Sequence, residues 1–369
     1  MMLKYLIPIF FLACNLSLAN MASPVLPGSY PMSAVSSKDI DILKEDIHIR
    51  IDQYFKRAFY KVEYTIQSEK EGFQIPLLFH ARDYYRKFKV WLNGKEVELK
   101  ELPYNEQDTS SKFDHFLSPR EEGNGKSRQI IDITYDKHYN RQFPLSDFLY
   151  FEVDLSKGIY KIRVEYIASV WEDNSDWLKK YSFRYFLAPA KEWKSFHELN
   201  LTLDASAFDQ PIQSNLKHPD SGSLNGIAHW KFSELPGDYI IIYFSPKANI
   251  FAKLLIFIGP TIISVIIILL IVILHRRLIR HAQKRFLKTL AVHFVVFGSL
   301  IFPFFILFSF QFSYLFIDWV IGQHAAGTKG GYIFFLVFLY VFLMPLYWIG
   351  MYRLNINFKK QFELNPPKN

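Results

Sequence analysis

Three carboxylates fall within five residues in the stretch Trp171-Glu172-Asp173-Asn174-Ser175-Asp176-Trp177. Glu172, Asp173 and Asp176 carry the hard oxygen ligands that a calcium ion takes, and they form the candidate metal site. The stretch lacks the glycine and the distal glutamate of a helix-loop-helix calcium site, so a solvated turn with its tryptophans packed on a core is the competing reading. Trp171 and Trp177, with Trp193 as a third member, offer flat apolar faces for stacking on a sugar ring. These three are the candidate ligand-binding residues.

A second constellation is more scattered. Asp83, Asp114 and Asp136 could serve as carboxylates near His80, His115 or His138 in a hydrolase. No pair of histidines has the i,i+4 spacing of a helical zinc site, and HExxH, GxSxG, Walker A and GxGxxG motifs are all missing. Gly327-Thr328-Lys329-Gly330-Gly331 is rich in glycine but joins two apolar segments, so it does not have the setting of a phosphate loop. The chain has one cysteine, Cys14, close to its start. A mature exported domain without cysteine has no disulfide, no thiolate metal site and no cysteine nucleophile. No catalytic residue and no cofactor are implied.

The elements that would position these residues divide the chain. Residues 254–274 form an uncharged apolar run about one bilayer core long. Directly after it stand Arg276, Arg277, Arg280, Lys284, Arg285 and Lys288. An apolar run stopped by a basic cluster reads as a membrane span with that end in the cytoplasm, and these six residues set the topology. Further spans are expected at 290–316 and 332–352, joined by a basic cytoplasmic loop at 275–289 and an outer loop at 317–331, with a cytoplasmic tail at 353–369. His293 lies inside the second expected span, and an ionisable residue there is a functional candidate. Its nearness to Lys288 also fits a plain interfacial role.

The charge distribution supports this division. The chain carries a net +8, yet residues 20–253 hold 31 Lys and Arg against 33 Asp and Glu. The positive surplus falls in the segments expected on the cytoplasmic side, which argues against nucleic-acid binding. Residues 1–19 read as a signal peptide: Lys4, then an apolar core, then Ser17-Leu18-Ala19. An uncleaved anchor and a lipidated Cys14 are the alternatives. Residues 20–40, with Pro24, Pro27 and Pro31, read as a flexible leader.

From residue 41 the pattern alternates. Ile47, Ile49 and Ile51 face one way, and Tyr60, Val62, Tyr64 and Ile66 repeat the pattern. Asn93-Gly94 between apolar runs predicts a tight hairpin. The likeness of the segment from Tyr60 to the one from Tyr160 fits either a duplicated unit or shared alternation. Strands at this spacing predict an all-β ectodomain over 41–248, an antiparallel β-sandwich of one or two parts, followed by three transmembrane α-helices.

The expected protein is a multi-pass protein of the bacterial inner membrane. Its ectodomain lies outside the cytoplasm and its C-terminus inside. The expected function is a non-enzymatic binding or interaction module. Its partners would be the lipid bilayer and another membrane or envelope protein or a glycan, but no nucleic acid. An accessory subunit of an envelope transporter or sensor is the main alternative, followed by the carboxylate and histidine hydrolase.

Overall fold

The structure, a computed structural model, describes residues 25–26, 29, 40–69, 72–80, 84, 88–101, 118–121, 127–136, 139–144, 148–192, 194–285, 287–322, 324–327 and 333–364. The expected signal peptide, Cys14, Trp193, Asp83, Asp114, His115 and His138 lie outside these residues. The chain forms two compact units. One comprises Val25–Glu172 and Lys180–Ser245, and the other contains Asp173–Lys179 and the chain from Pro246 onward.

The first unit is built on alternation. In strand Ile40–Ile51 the inward residues Ile47, Ile49 and Ile51 are buried, and in Arg57–Ser68 so are Tyr60, Val62, Tyr64 and Ile66. The largest sheet runs in the order Ser221–Gly222, Ile227–Phe232, Leu199–Asp204, Ile40–Ile51, Arg57–Ser68, Gly158–Ser169, Lys89–Leu92, Lys95–Val97. The two look-alike segments are its central antiparallel pair, with Tyr60 opposite Tyr166. A second sheet runs Val25–Leu26, Trp171–Asp173, Lys180–Phe186, Tyr239–Phe244, Gln213–Ser214. Both sheets contribute to one core: Ile47, Tyr60 and Val164 come from the first, and Phe183, Tyr185 and Ile242 from the second. At about 25 cal/mol per Å² of apolar surface, each such side chain contributes roughly 1.5–3 kcal/mol.

The expectation of an all-β, purely antiparallel ectodomain followed by three transmembrane helices is overturned on two counts. First, the large sheet is mixed. Leu199–Asp204 runs parallel to Ile40–Ile51, with Leu201 beside Ile47, and Ser195–Phe196 pairs parallel with the same strand. A short 3-10 helix at Ala188–Glu192 precedes these two parallel segments. Second, three helices follow, but among the described residues only two are long and apolar enough to cross a membrane. These are α1, Ile250–Lys284, and α2, Lys288–Ile321. The third, α3, spans Ile333–Leu364. It continues through residue 352, where a span was expected to end, and its part beyond that residue carries Arg353, Lys359, Lys360 and Glu363.

Helix α1 also extends beyond its apolar run, so most of the basic segment 275–289 is helix rather than loop. Asn249 caps its start, its side chain accepting from the Ala252 N–H at 2.7 Å. Gly259 breaks the helix at φ 76°, a conformation open to glycine, just before Pro260.

Candidate functional site

A groove of about 450 Å³ lies on the outer face of the large sheet. Strand alternation builds it, because the residues between the buried positions face outward. Asp46 comes from Ile40–Ile51, Glu63 and Thr65 from Arg57–Ser68, and Lys161 and Arg163 from Gly158–Ser169. Register brings them side by side: Asp46 opposite Glu63, Glu63 opposite Arg163, Arg163 opposite Trp91. The Asn93-Gly94 turn closes one end. Both turn residues take positive φ, 47° and 84°, as the hairpin requires. Asn93 fixes the turn to the neighbouring strand: its side-chain oxygen accepts from Lys161 N–H at 2.9 Å, and its own N–H donates to Lys161 O at 2.8 Å.

The groove carries both signs of charge in fixed positions. Lys44 lies 2.8 Å from Asp46, and Lys61 lies 3.1 Å from Glu63. The Asp46 carboxylate also accepts from Asn200 Nδ2 at 2.9 Å, and its hydrogen bond to Lys44 holds that ammonium above the usual lysine range. Further along the same face, Lys231 and Asn200 hold the Glu198 carboxyl below its usual value. Arg163 lies over Trp91, its guanidinium carbon 4.0 Å from the ring centre, with Glu165 at 3.5 Å. These contacts pre-order the side chains and leave balanced polar groups around one indole. The arrangement suits recognition by hydrogen bonds and charge.

The candidates from the tryptophan-carboxylate stretch take other roles. Trp171 is buried, donates from Nε1 to Ser29 O at 2.7 Å and lies under Arg184 at 4.2 Å. Glu172 sits beside it, half-buried. Asp173 accepts from Ser175 N–H and Asp176 from Trp177 N–H, so both carboxylates order a local turn. The turn belongs to the helical unit. Leu178 pairs with Ala326, Gly327 N–H donates to Trp177 O at 3.0 Å, and Trp177 stacks on Tyr314 with ring centres 5.2 Å apart. Among the described residues no three His, Cys, Asp or Glu side chains gather as a metal site. Of the hydrolase candidates, His80 is buried with its ring edge-on to Phe148, and Asp136 lies in strand Ser127–Asp136.

In the helices, His293 is exposed. It donates from Nδ1 to Thr289 O one turn earlier and stacks on Phe297. Among the described helical residues the buried histidine is His275, directly before Arg276. Its ring meets Tyr347 Oη at 3.0 Å and Phe294 O at 2.8 Å. The carbonyl only accepts, so Nε2 carries a proton and donates, and in the neutral ring Nδ1 accepts from Tyr347. One side chain thus bonds α1 to both other helices. Its spacing to Ile279 and Ala282 marks a helix face, and that signal was available in the sequence. Arg276, Arg277, Arg280, Lys284, Arg285 and Lys288 are all exposed.

No family model matches the chain, and no curated protein matches it. Solved structures give faint likenesses. A candidate nutrient binding protein from Legionella pneumophila aligns at 12% identity with a TM-score of 0.40, over 60% of this chain and 72% of its own. Leukotriene A4 hydrolase from Saccharomyces cerevisiae aligns at 10% identity with a TM-score of 0.29, over 63% of this chain and 33% of its own. An M1 zinc metallopeptidase from Deinococcus radiodurans aligns at 10% identity with a TM-score of 0.25, over 58% and 46%. The chain therefore spans a third to a half of the two enzymes' length. At these scores none of the likenesses carries a conclusion about the chemistry of this chain.

Proposed function

We propose that this chain is a membrane-anchored binding module whose β unit holds a charged segment of another envelope protein in the groove around Trp91 and Arg163. The observation that carries the reading is the groove itself. Asp46, Glu63 and Arg163 stand opposite one another on adjacent strands, Lys161 lines the same groove, and both charges are represented. An extended segment bearing both signs matches such rows, whereas a sugar would need the indole face that Arg163 already covers.

The anchor is α1 and α2, whose apolar side chains point outward: Phe257 is 88% exposed and Leu270 61%. Outward apolar faces on helices of this length fit lipid. With residues 1–19 as an export signal and the basic ends of the helices in the cytoplasm, the β unit lies outside the inner membrane.

Affinity capture of the full chain from detergent extracts tests the reading. One defined partner should be recovered repeatedly, and its recovery should fall about tenfold in Trp91→Ala or Glu63→Lys if each removes roughly 1.4 kcal/mol. Capture of glycans alone, or repeated recovery of the chain by itself, would sink the proposal.

A further inference from the structure

We propose that the basic ends of α1 and α3 form a rigid docking surface for the headgroups of anionic phospholipids. The inference rests on the reading of α1 and α2 as membrane helices. Residues 275–288 and 351–364 hold nine lysines and arginines against one carboxylate, Glu363. Sequence reading gives these charges to a loop and a tail. The structure instead holds most of them on packed helices. Gln283 Nε2 donates to Asn355 Oδ1 at 2.7 Å in a buried bond between the two helices. Ile279 on one side and Met351, Phe358 and Phe362 on the other close the seam. The Arg276 guanidinium lies 5.8 Å from the Phe358 ring centre. With the apolar face turned inward, Arg276, Arg277, Arg280, Lys284, Lys359 and Lys360 are left exposed.

Among the described residues, only Lys359 of the nine cations meets a carboxylate, Glu363 at 4.0 Å. Apart from Glu363, the described residues give this surface no internal source of neutralisation. It stands directly below the exposed apolar side chains Leu274, Trp348 and Tyr352, where lipid headgroups begin. Orientation during insertion requires only positive charge near a span. A helical platform offers in addition a fixed array of donors that does not lose chain entropy when phosphodiesters bind.

The full chain in nanodiscs of phosphatidylcholine with a minor fraction of phosphatidylglycerol provides the test, since insertion history plays no part there. Spin-labelled versions of the two lipids report how strongly each associates with the protein. Phosphatidylglycerol should be favoured by about tenfold, and the preference should weaken as salt is raised. It should fall to about twofold or less in the variant carrying Arg276→Gln, Arg277→Gln, Arg280→Gln and Lys284→Gln, and partly in the variant carrying Lys359→Gln and Lys360→Gln. Equal association of the two lipids, or a preference unchanged in both variants, overturns the inference. So does displacement by inorganic phosphate well beyond that by chloride at equal ionic strength, which would assign the surface to free phosphate. A chain that stays soluble without detergent and does not enter nanodiscs would overturn the membrane reading itself.

Discussion

Tyr185 donates a hydrogen bond of 2.7 Å to Glu45, whose side chain is fully shut off from solvent between the two sheets. Tyr64 approaches the same hydroxyl at 3.1 Å. A carboxyl group in this position is tolerated only with donors beside it. A short distance away stand Tyr60 and Tyr166, stacked with ring centres 5.1 Å apart, and their buried hydroxyls have no hydrogen-bond partner among the described residues. The same core therefore contains phenols that bond and phenols that do not.

This contrast makes a prediction within one residue type. Tyr185→Phe removes a donor from a buried acid and should destabilise the β unit by about 1–3 kcal/mol. Tyr60→Phe and Tyr166→Phe remove hydroxyls that gain nothing from burial, and should be neutral or stabilising by up to about 1 kcal/mol. Urea denaturation followed by tryptophan fluorescence would rank the three. Equal losses in all of them would mean that the network is not what separates these tyrosines.

In the helices, Gly298 is the position where α2 lets His275 in. A Cβ at residue 298 would stand 2.4 Å from His275 Nε2. Gly298→Ala should therefore push the imidazole off Phe294 O and Tyr347 together, at a cost of about 2–3 kcal/mol. His275→Ala alone should cost a similar amount. In the double variant the two losses should add to much less than their sum, because the clash and the bonds involve one side chain. Unfolding in mixed micelles would measure the cycle, and simple additivity would show that the contact is not shared.

Asp41 supplies a pH dependence. Its burial favours the neutral acid, but the Ser195 hydroxyl and the Lys194 ammonium 3.2 Å away outweigh that and hold its pKa below the usual 3.8. A carboxyl with a depressed folded-state pKa contributes stability that is present at neutral pH and is lost as pH falls through that pKa. Asp41→Asn should be less stable than the natural chain at pH 7, and the gap should close below about pH 3.8. Denaturation midpoints across an acid series would show it. A gap that stays constant would remove the titration from the account.

The strands were legible where one face is buried and the other wet. The isoleucines of 47–51 and the tyrosines of 60–66 place two twelve-residue strands almost unaided, and Asn93-Gly94 sets the next turn. A period of two tells which side chains face inward, but it says nothing about direction. The parallel pairing of Leu199–Asp204 with Ile40–Ile51 was therefore invisible in the pattern. The groove was hidden for a related reason. Asp46, Glu63, Trp91 and Arg163 lie on four strands, and only the register makes them neighbours. In the helices a basic run surrounds His275, which is buried against α2 and α3, whereas His293, with apolar neighbours in sequence, is exposed.

The turn at Asp173–Lys179 has a consequence for how the chain can be divided. It is inserted between strands of the β unit, yet it pairs with the loop after α2: Lys179 N–H donates to Ala325 O, and Gly327 sits against Asp176 O with no room for a side chain. The two units are interlaced along the sequence rather than joined end to end. A fragment stopping at Ser245 would be a sheet unit carrying a stranded piece of the helical one, so removing the anchor is not equivalent to releasing a domain. During synthesis, residues 173–179 emerge well over a hundred residues before Ala325 and Gly327. The turn must therefore wait, unpaired, until the second helix and its loop have been made.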